Sequence, residues 1–123
     1  MIKYSDHYLL FIEYFNNGKF MSAQTTLDTI WLKEEGDDKD FYGGLIQISV
    51  SLYHLTNDNP KGAKRVYDKA KSMLTRYGSV YKDIRLGVLI EKLDLLFDSE
   101  MASGHSSIDF LKIVPKIDFL GNS

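Results

Sequence analysis

Asp37-Asp38-Lys39-Asp40-Phe41-Tyr42-Gly43-Gly44-Leu45-Ile46-Gln47-Ile48-Ser49-Val50-Ser51-Leu52-Tyr53-His54-Leu55 is the stretch that decides the fold of this chain. Phe41, Leu45, Ile48, Leu52 and Leu55 recur at intervals of three and four, the spacing that lines one face of an α-helix. Ile46, Val50 and Tyr53 carry apolar character round the other sides, and a helix apolar on nearly all sides belongs at the centre of a bundle. Asp37 to Asp40 supply an N-cap and favourable charge for its first turn. The pair Gly43-Gly44 costs about 1 kcal/mol or more in helix propensity. Its expected use is close packing, with a neighbouring helix or an aromatic such as Trp31 against the bare backbone.

Working outward, the punctuation brackets four more helices. Upstream, a helix from about Lys19 to Lys33 sets Phe20, Ala23, Leu27, Ile30 and Trp31 on one stripe, with Gly36 as its stop. Before it, Ser5 or Asp6 caps a helix over about residues 6 to 16, built on Tyr8, Phe11, Ile12 and Phe15 and ended by Asn16-Asn17-Gly18. Downstream, Asn57 takes a left-handed end, Asn59 caps, and Pro60 occupies the first position of a fourth helix. That helix runs to about Tyr77 on Ala63, Tyr67, Ala70 and Leu74. After Gly78 a fifth, from about Asp83 to Met101, repeats Leu86, Leu89, Ile90, Leu93, Leu96 and Phe97. The expectation is an all-α fold: a compact five-helix bundle over residues 1–102, antiparallel neighbours, helix 3 central and buried. Residues 103–123 form an apolar tail that spells Ile108-Asp109-Phe110-Leu111 and again Ile117-Asp118-Phe119-Leu120 around Pro115. Without helical period, it is expected to lie extended on the bundle, the alternative being that it grips a partner.

A chain of 123 residues, 44% hydrophobic and 13% aromatic, can build one core without staples. The absence of cysteine excludes disulfides, thiolate metal sites and cysteine nucleophiles. No leader pattern and no apolar run of membrane-spanning length is present, so the cytoplasm is the default location and no membrane partner is expected. The net charge of -2 conceals an asymmetry. From Lys61 to Arg85, eight basic residues (Lys61, Lys64, Arg65, Lys69, Lys71, Arg76, Lys82, Arg85) stand against Asp68 and Asp83, a local +6. Lys61, Lys64, Arg65 and Lys71 define a basic surface on helix 4 that could attract an anionic ligand. Stacking aromatics beside it are missing, so nucleic acid is not an expected partner. The same stripe could meet Asp37 to Asp40 of a second copy and give a homo-oligomer.

Helices 2 and 3 carry an ordered pattern: Phe15-Asn16-x-Gly18-x-Phe20, Ala23 and Leu27 ahead of Trp31, Gly44-Leu45-Ile46-Gln47, Tyr53-His54, Asn59, and Gly62-Ala63. This resembles the domain of unknown function 309 family, small helical proteins often catalogued as predicted metal-dependent hydrolases, over about residues 7 to 77. The resemblance implies a site on helices 2 and 3. Where the family typically reads Glu-Ala-His-Glu-x-Leu-Glu, this chain has Ser22-Ala23-Gln24-Thr25-Thr26-Leu27-Asp28, so its His-Glu pair is Gln24-Thr25 here. Matched beyond that are Gln47, His54 and Asn59.

Gln24 and Asp28 stand one turn apart on helix 2, and Gln47 and His54 two turns apart on helix 3, so facing flanks would bring four polar side chains together. Zinc takes three or four His, Cys or carboxylate ligands, and only Asp28 and His54 qualify. Hard cations prefer more carboxylates than one. No resident metal or other cofactor is therefore expected, a divalent ion on Asp28 and His54 being the alternative. The bland reading of Gln24, Asp28, Gln47 and His54 is a buried hydrogen-bonded network. His7 and His105 read as ordinary surface histidines, and no phosphate loop or H-E-x-x-H motif occurs. The sequence therefore points to a binding or structural domain rather than an enzyme. The alternatives are a metal-dependent hydrolase working in that pocket and, more weakly, an anionic-ligand or nucleic-acid binder through helix 4.

Overall fold

The structure, a computed structural model, describes residues 3–103 and 113–121. Five α-helices follow in order: α1 (Asp6–Asn16), α2 (Phe20–Lys33), α3 (Lys39–Thr56), α4 (Pro60–Leu74), continued by a 3-10 turn over Thr75–Tyr77, and α5 (Leu86–Ser103). Links of three, five and three residues join α1 to α4 and fold each helix back on its predecessor. Thus α1 packs on α2, α2 on α3, α3 on α4, and α5 meets α4. Among the described residues no helix is long and apolar enough to cross a membrane.

The central position expected of α3 is realised, with eleven of its residues buried, glycines and serines included. The Ser49 and Ser51 hydroxyls donate to the carbonyls of Leu45 and Ile48, at 3.2 and 2.6 Å, so burial leaves neither unpaired. The two glycines act as the sequence suggested. A Cβ on Gly44 would stand 2.5 Å from Leu74 Cγ, and one on Gly43 3.3 Å from Trp31 Nε1. Helix α4 and the indole thus approach α3 at backbone distance. Lys39 completes the Trp31 environment, its Nζ 4.0 Å from the ring centroid and donating to the Trp31 carbonyl at 2.8 Å.

Helix ends follow the caps with three adjustments. Ser5 Oγ accepts from the Tyr8 N–H at 3.2 Å, and Asn59 Oδ1 accepts from the Gly62 N–H at 3.1 Å behind Pro60. Asp58 (φ 57°), not Asn57 (φ -102°), is the left-handed residue between α3 and α4. Helix α2 ends at Lys33, where Glu34 turns extended before Gly36 is reached. Helix α5 starts at Leu86 instead of Asp83, because a tight turn intervenes. Tyr81 and Ile84 exchange both backbone hydrogen bonds, at 3.0 and 2.9 Å, around Lys82 (φ 45°) and Asp83 (φ 61°). Positive φ at both central residues marks a type I′ turn, a shape that favours Asn-Gly and strains a Lys-Asp pair.

Of the C-terminal segment, residues 114–118 belong to no helix, and Ile117 is buried against the bundle. Ile108-Asp109-Phe110-Leu111 and His105 lie outside the described residues.

Candidate functional site

The candidate pocket residues, Gln24, Asp28, Gln47 and His54 with the matched Asn59, divide by role. Gln24 and Asp28 are half-buried on α2, Gln47 and His54 half-buried on the α3 packed beside it. No side-chain hydrogen bond or ion pair links these four among the described residues, so the expected network is not made. The His54 ring lies 6.4 Å from that of Tyr53, centroid to centroid. Among the described residues Asp28 has no ion-pair partner, and burial pushes its carboxyl above the usual carboxylate range. Asn59 stands apart as the cap of α4, which accounts for its spacing to Gly62. Among the described residues no three His, Cys, Asp or Glu side chains group as a metal site would need. His7 is exposed.

The basic stretch is largely neutralised within the chain. Lys64 pairs with Asp68 (2.6 Å), Lys71 with Asp94 of α5 (2.9 Å), Arg76 with Asp40 (3.4 Å), Lys82 with Asp38 (3.3 Å) and Arg85 with Asp118 (3.2 Å). The pairing of basic residues with Asp37 to Asp40, anticipated between two copies, is thus made inside one. Lys61, Arg65 and Lys69 are exposed on α4 and, among the described residues, make no ion pair.

A different set of residues converges where the end of α1, the Lys82-Asp83 turn and the C-terminal segment meet. Asn16, the last residue of α1, turns its amide along the backbone of Ile117. Its Nδ2 donates to the Ile117 carbonyl at 3.0 Å, and its Oδ1 accepts from the Ile117 N–H at 2.7 Å. Beyond Ile117 the chain runs antiparallel to Asp83–Arg85. The Arg85 N–H donates to the Asp118 carbonyl at 3.1 Å, and the Leu120 N–H to the Asp83 carbonyl at 2.7 Å. Strand addition to a short edge is a recurrent way of holding a peptide.

Side chains add to the backbone pairing. Ile117 enters the core, Asp118 meets the Arg85 guanidinium, and Phe119 stands edge-on to Tyr4 and Tyr8 at 5.6 and 6.2 Å between centroids. The same tyrosines brace the strained turn: Tyr8 donates to the Lys82 carbonyl and Tyr4 to Asp83 Oδ2, each at 2.8 Å. Burial and the Asp83 hydrogen bond push the Tyr4 phenol up to about 12. Beside the segment a cavity of about 320 Å³ opens between the α1–α2 link and Val114–Lys116. The sequence marks Asn16 only as a helix stop and Asp83 only as the approximate start of helix 5; the available signal was the repeated Ile-Asp-Phe-Leu.

Residues 8–66 match the family model described as Domain of unknown function (DUF309). This stretch is similar to the DUF309 family. The match runs from α1 into the first half of α4, a shorter span than residues 7 to 77. The DUF309 stretch therefore holds Asn16 and the polar residues of α2 and α3, whereas Asp83, Arg85, α5 and the C-terminal segment lie beyond it. Several positions of its pattern have packing roles here: Gly44 under Leu74, Trp31 over Gly43, Asn59 capping Gly62, and Ala63 in the core. No curated protein and no solved structure matches the chain.

Proposed function

We propose that this protein works by binding rather than catalysis, and that its ligand is an extended polypeptide segment held at the end of α1. The observation that carries the reading is the two-sided pairing of the Asn16 amide with the Ile117 backbone. A side-chain amide that satisfies both the N–H and the C=O of one residue holds an extended chain whatever side chain that residue has. The flanking Arg85 and tyrosines then select sequence. In the absence of a partner the chain fills this groove with its own residues.

The test uses the full chain with Ile117→Ser and Phe119→Ser, which removes the two apolar anchors of the resident segment. A labelled peptide, Val-Pro-Lys-Ile-Asp-Phe-Leu-Gly, should then bind with increased fluorescence anisotropy, and Asn16→Ala should weaken it at least tenfold. A helical, folded variant that leaves the peptide free in solution overturns the reading.

A second reading, metal-dependent hydrolysis between α2 and α3, is favoured by Asp28, a half-buried carboxylate without an ion-pair partner among the described residues, which is a common state for functional acids. Asp28 and His54 would be the ligands, with Gln24 and Gln47 around them. Stoichiometric zinc, manganese or iron in protein purified without chelator or nickel, lost on His54→Ala, would establish it over the binding reading.

A further inference from the structure

The groove at Asn16 uses every residue of Ile117-Asp118-Phe119-Leu120: the first is buried, the second meets Arg85, the third packs on Tyr4 and Tyr8, and the fourth donates its N–H to Asp83. The same four residues in the same order stand at Ile108-Asp109-Phe110-Leu111. The chain therefore spells the sequence of the resident segment twice.

Geometry decides where the second ligand can go. Helix α5 starts beside the groove, immediately after Arg85, and runs to Ser103. Eighteen residues at about 1.5 Å each place Ser103 about 27 Å from Arg85. Asp109, the counterpart of Asp118, follows Ser103 by six residues, and a straight chain covers at most about 22 Å over that length. The chain must also reverse direction at the end of α5. With α5 intact, Ile108–Leu111 cannot reach its own groove, whereas the groove of a second molecule carries no such restriction.

Resting on the peptide-binding reading above, we propose that the groove of Asn16, Asp83 and Arg85 is a self-association site whose occupant in trans is Ile108–Leu111 of a second copy. The resident Ile117–Leu120 is the competitor that keeps it closed. A segment tethered in cis competes at an effective concentration of roughly millimolar for short flexible links, so exchange requires that the resident segment be weakened or drawn away.

Sedimentation velocity on the full chain across 10-fold steps of concentration tests this. Ile117→Ser with Phe119→Ser should convert a monomer into a concentration-dependent dimer. Adding Ile108→Ser and Phe110→Ser should return it to monomer. If the first pair loses the helical circular dichroism signal, Asp118→Lys serves instead: it sets a like charge against Arg85 at an exposed position and leaves Asp109 unaltered. That variant should dimerise, and Asp109→Lys in addition should abolish the dimer. A folded variant that binds the free Ile-Asp-Phe-Leu peptide yet stays monomeric overturns this inference while leaving the peptide-binding reading standing. A folded variant that ignores the peptide overturns both.

Discussion

The side-chain amide of Asn16 and the backbone amide of Ile117 form a closed pair, donor to acceptor in both directions, across 101 positions of sequence. Each hydrogen bond of this kind contributes about 0.5–1.5 kcal/mol net. Asn16→Ala should therefore lower stability by about 1–3 kcal/mol in chemical denaturation and accelerate amide exchange at Ile117. Asn16→Asp retains the acceptor but loses the donor, and should fall between. Unchanged exchange at Ile117 in Asn16→Ala would mean that the segment is held by its apolar anchors alone.

Gly44 faces Leu74 at a distance that no side chain fits. Gly44→Ala places a methyl group 2.5 Å from Leu74 Cγ, so α3 and α4 must separate or Leu74 must leave its rotamer. Overpacking of this kind costs about 1–3 kcal/mol. Leu74→Ala should cost about 2–5 kcal/mol alone, and the double variant should be more stable than the sum of the two losses predicts. Additive losses in a double-mutant cycle would place the strain elsewhere.

Asp94 joins α5 to α4, accepting from the Tyr67 hydroxyl at 2.7 Å and from Lys71 Nζ at 2.9 Å. Burial opposes its ionisation, but these hydrogen bonds outweigh it and hold the carboxyl below its ordinary range. A depressed folded value means that the unfolded chain takes up the proton first, so stability rises with pH through the carboxylate range. The contribution is present at neutral pH and disappears as pH falls through the folded value. Asp94→Asn should accordingly be less stable than the parent at pH 7, with the gap closing in acid.

Asp28 has the opposite sign. Burial raises its folded value, so the unfolded carboxyl ionises first and stability falls as pH rises through that range. Asp28→Asn should be at least as stable as the parent at pH 7, and any gain should shrink below pH 4. A clear loss of stability at pH 7 would show that the carboxylate has a partner in solution, a bound cation being the first to test by thermal shift with manganese or zinc.

Periodicity made most of the fold legible. The stripe Phe41, Leu45, Ile48, Leu52 placed α3 at the centre because burial on all sides leaves no other location for such a helix. The boundaries of α1 and α4 were legible from Ser5, Asn59 and Pro60, whose side chains act locally. Turn strain defeated the start of α5. Lys82-Asp83 adopts a left-handed pair that local propensity disfavours, and the support comes from Tyr4, Tyr8 and Asp38, 44 to 79 positions upstream. The groove was hidden for the same reason. Asn16 looks like any helix-ending asparagine until Ile117 is placed beside it. The ion pairs of Arg76 and Lys82 with Asp40 and Asp38 could be matched by charge but not assigned to one chain or two.

Tyr4 and Gly121 lie in contact: a Cβ on Gly121 would come within 3.1 Å of the Tyr4 ring. The described chain thus returns to its starting point, and its two ends could be joined by a linker of a few residues without disturbing a helix. A circular permutant opened at the exposed Asn57-Asp58 link would keep α1, α5 and the groove on one continuous stretch, so each half of the bundle could be supplied as a separate fragment and scored by reassembly.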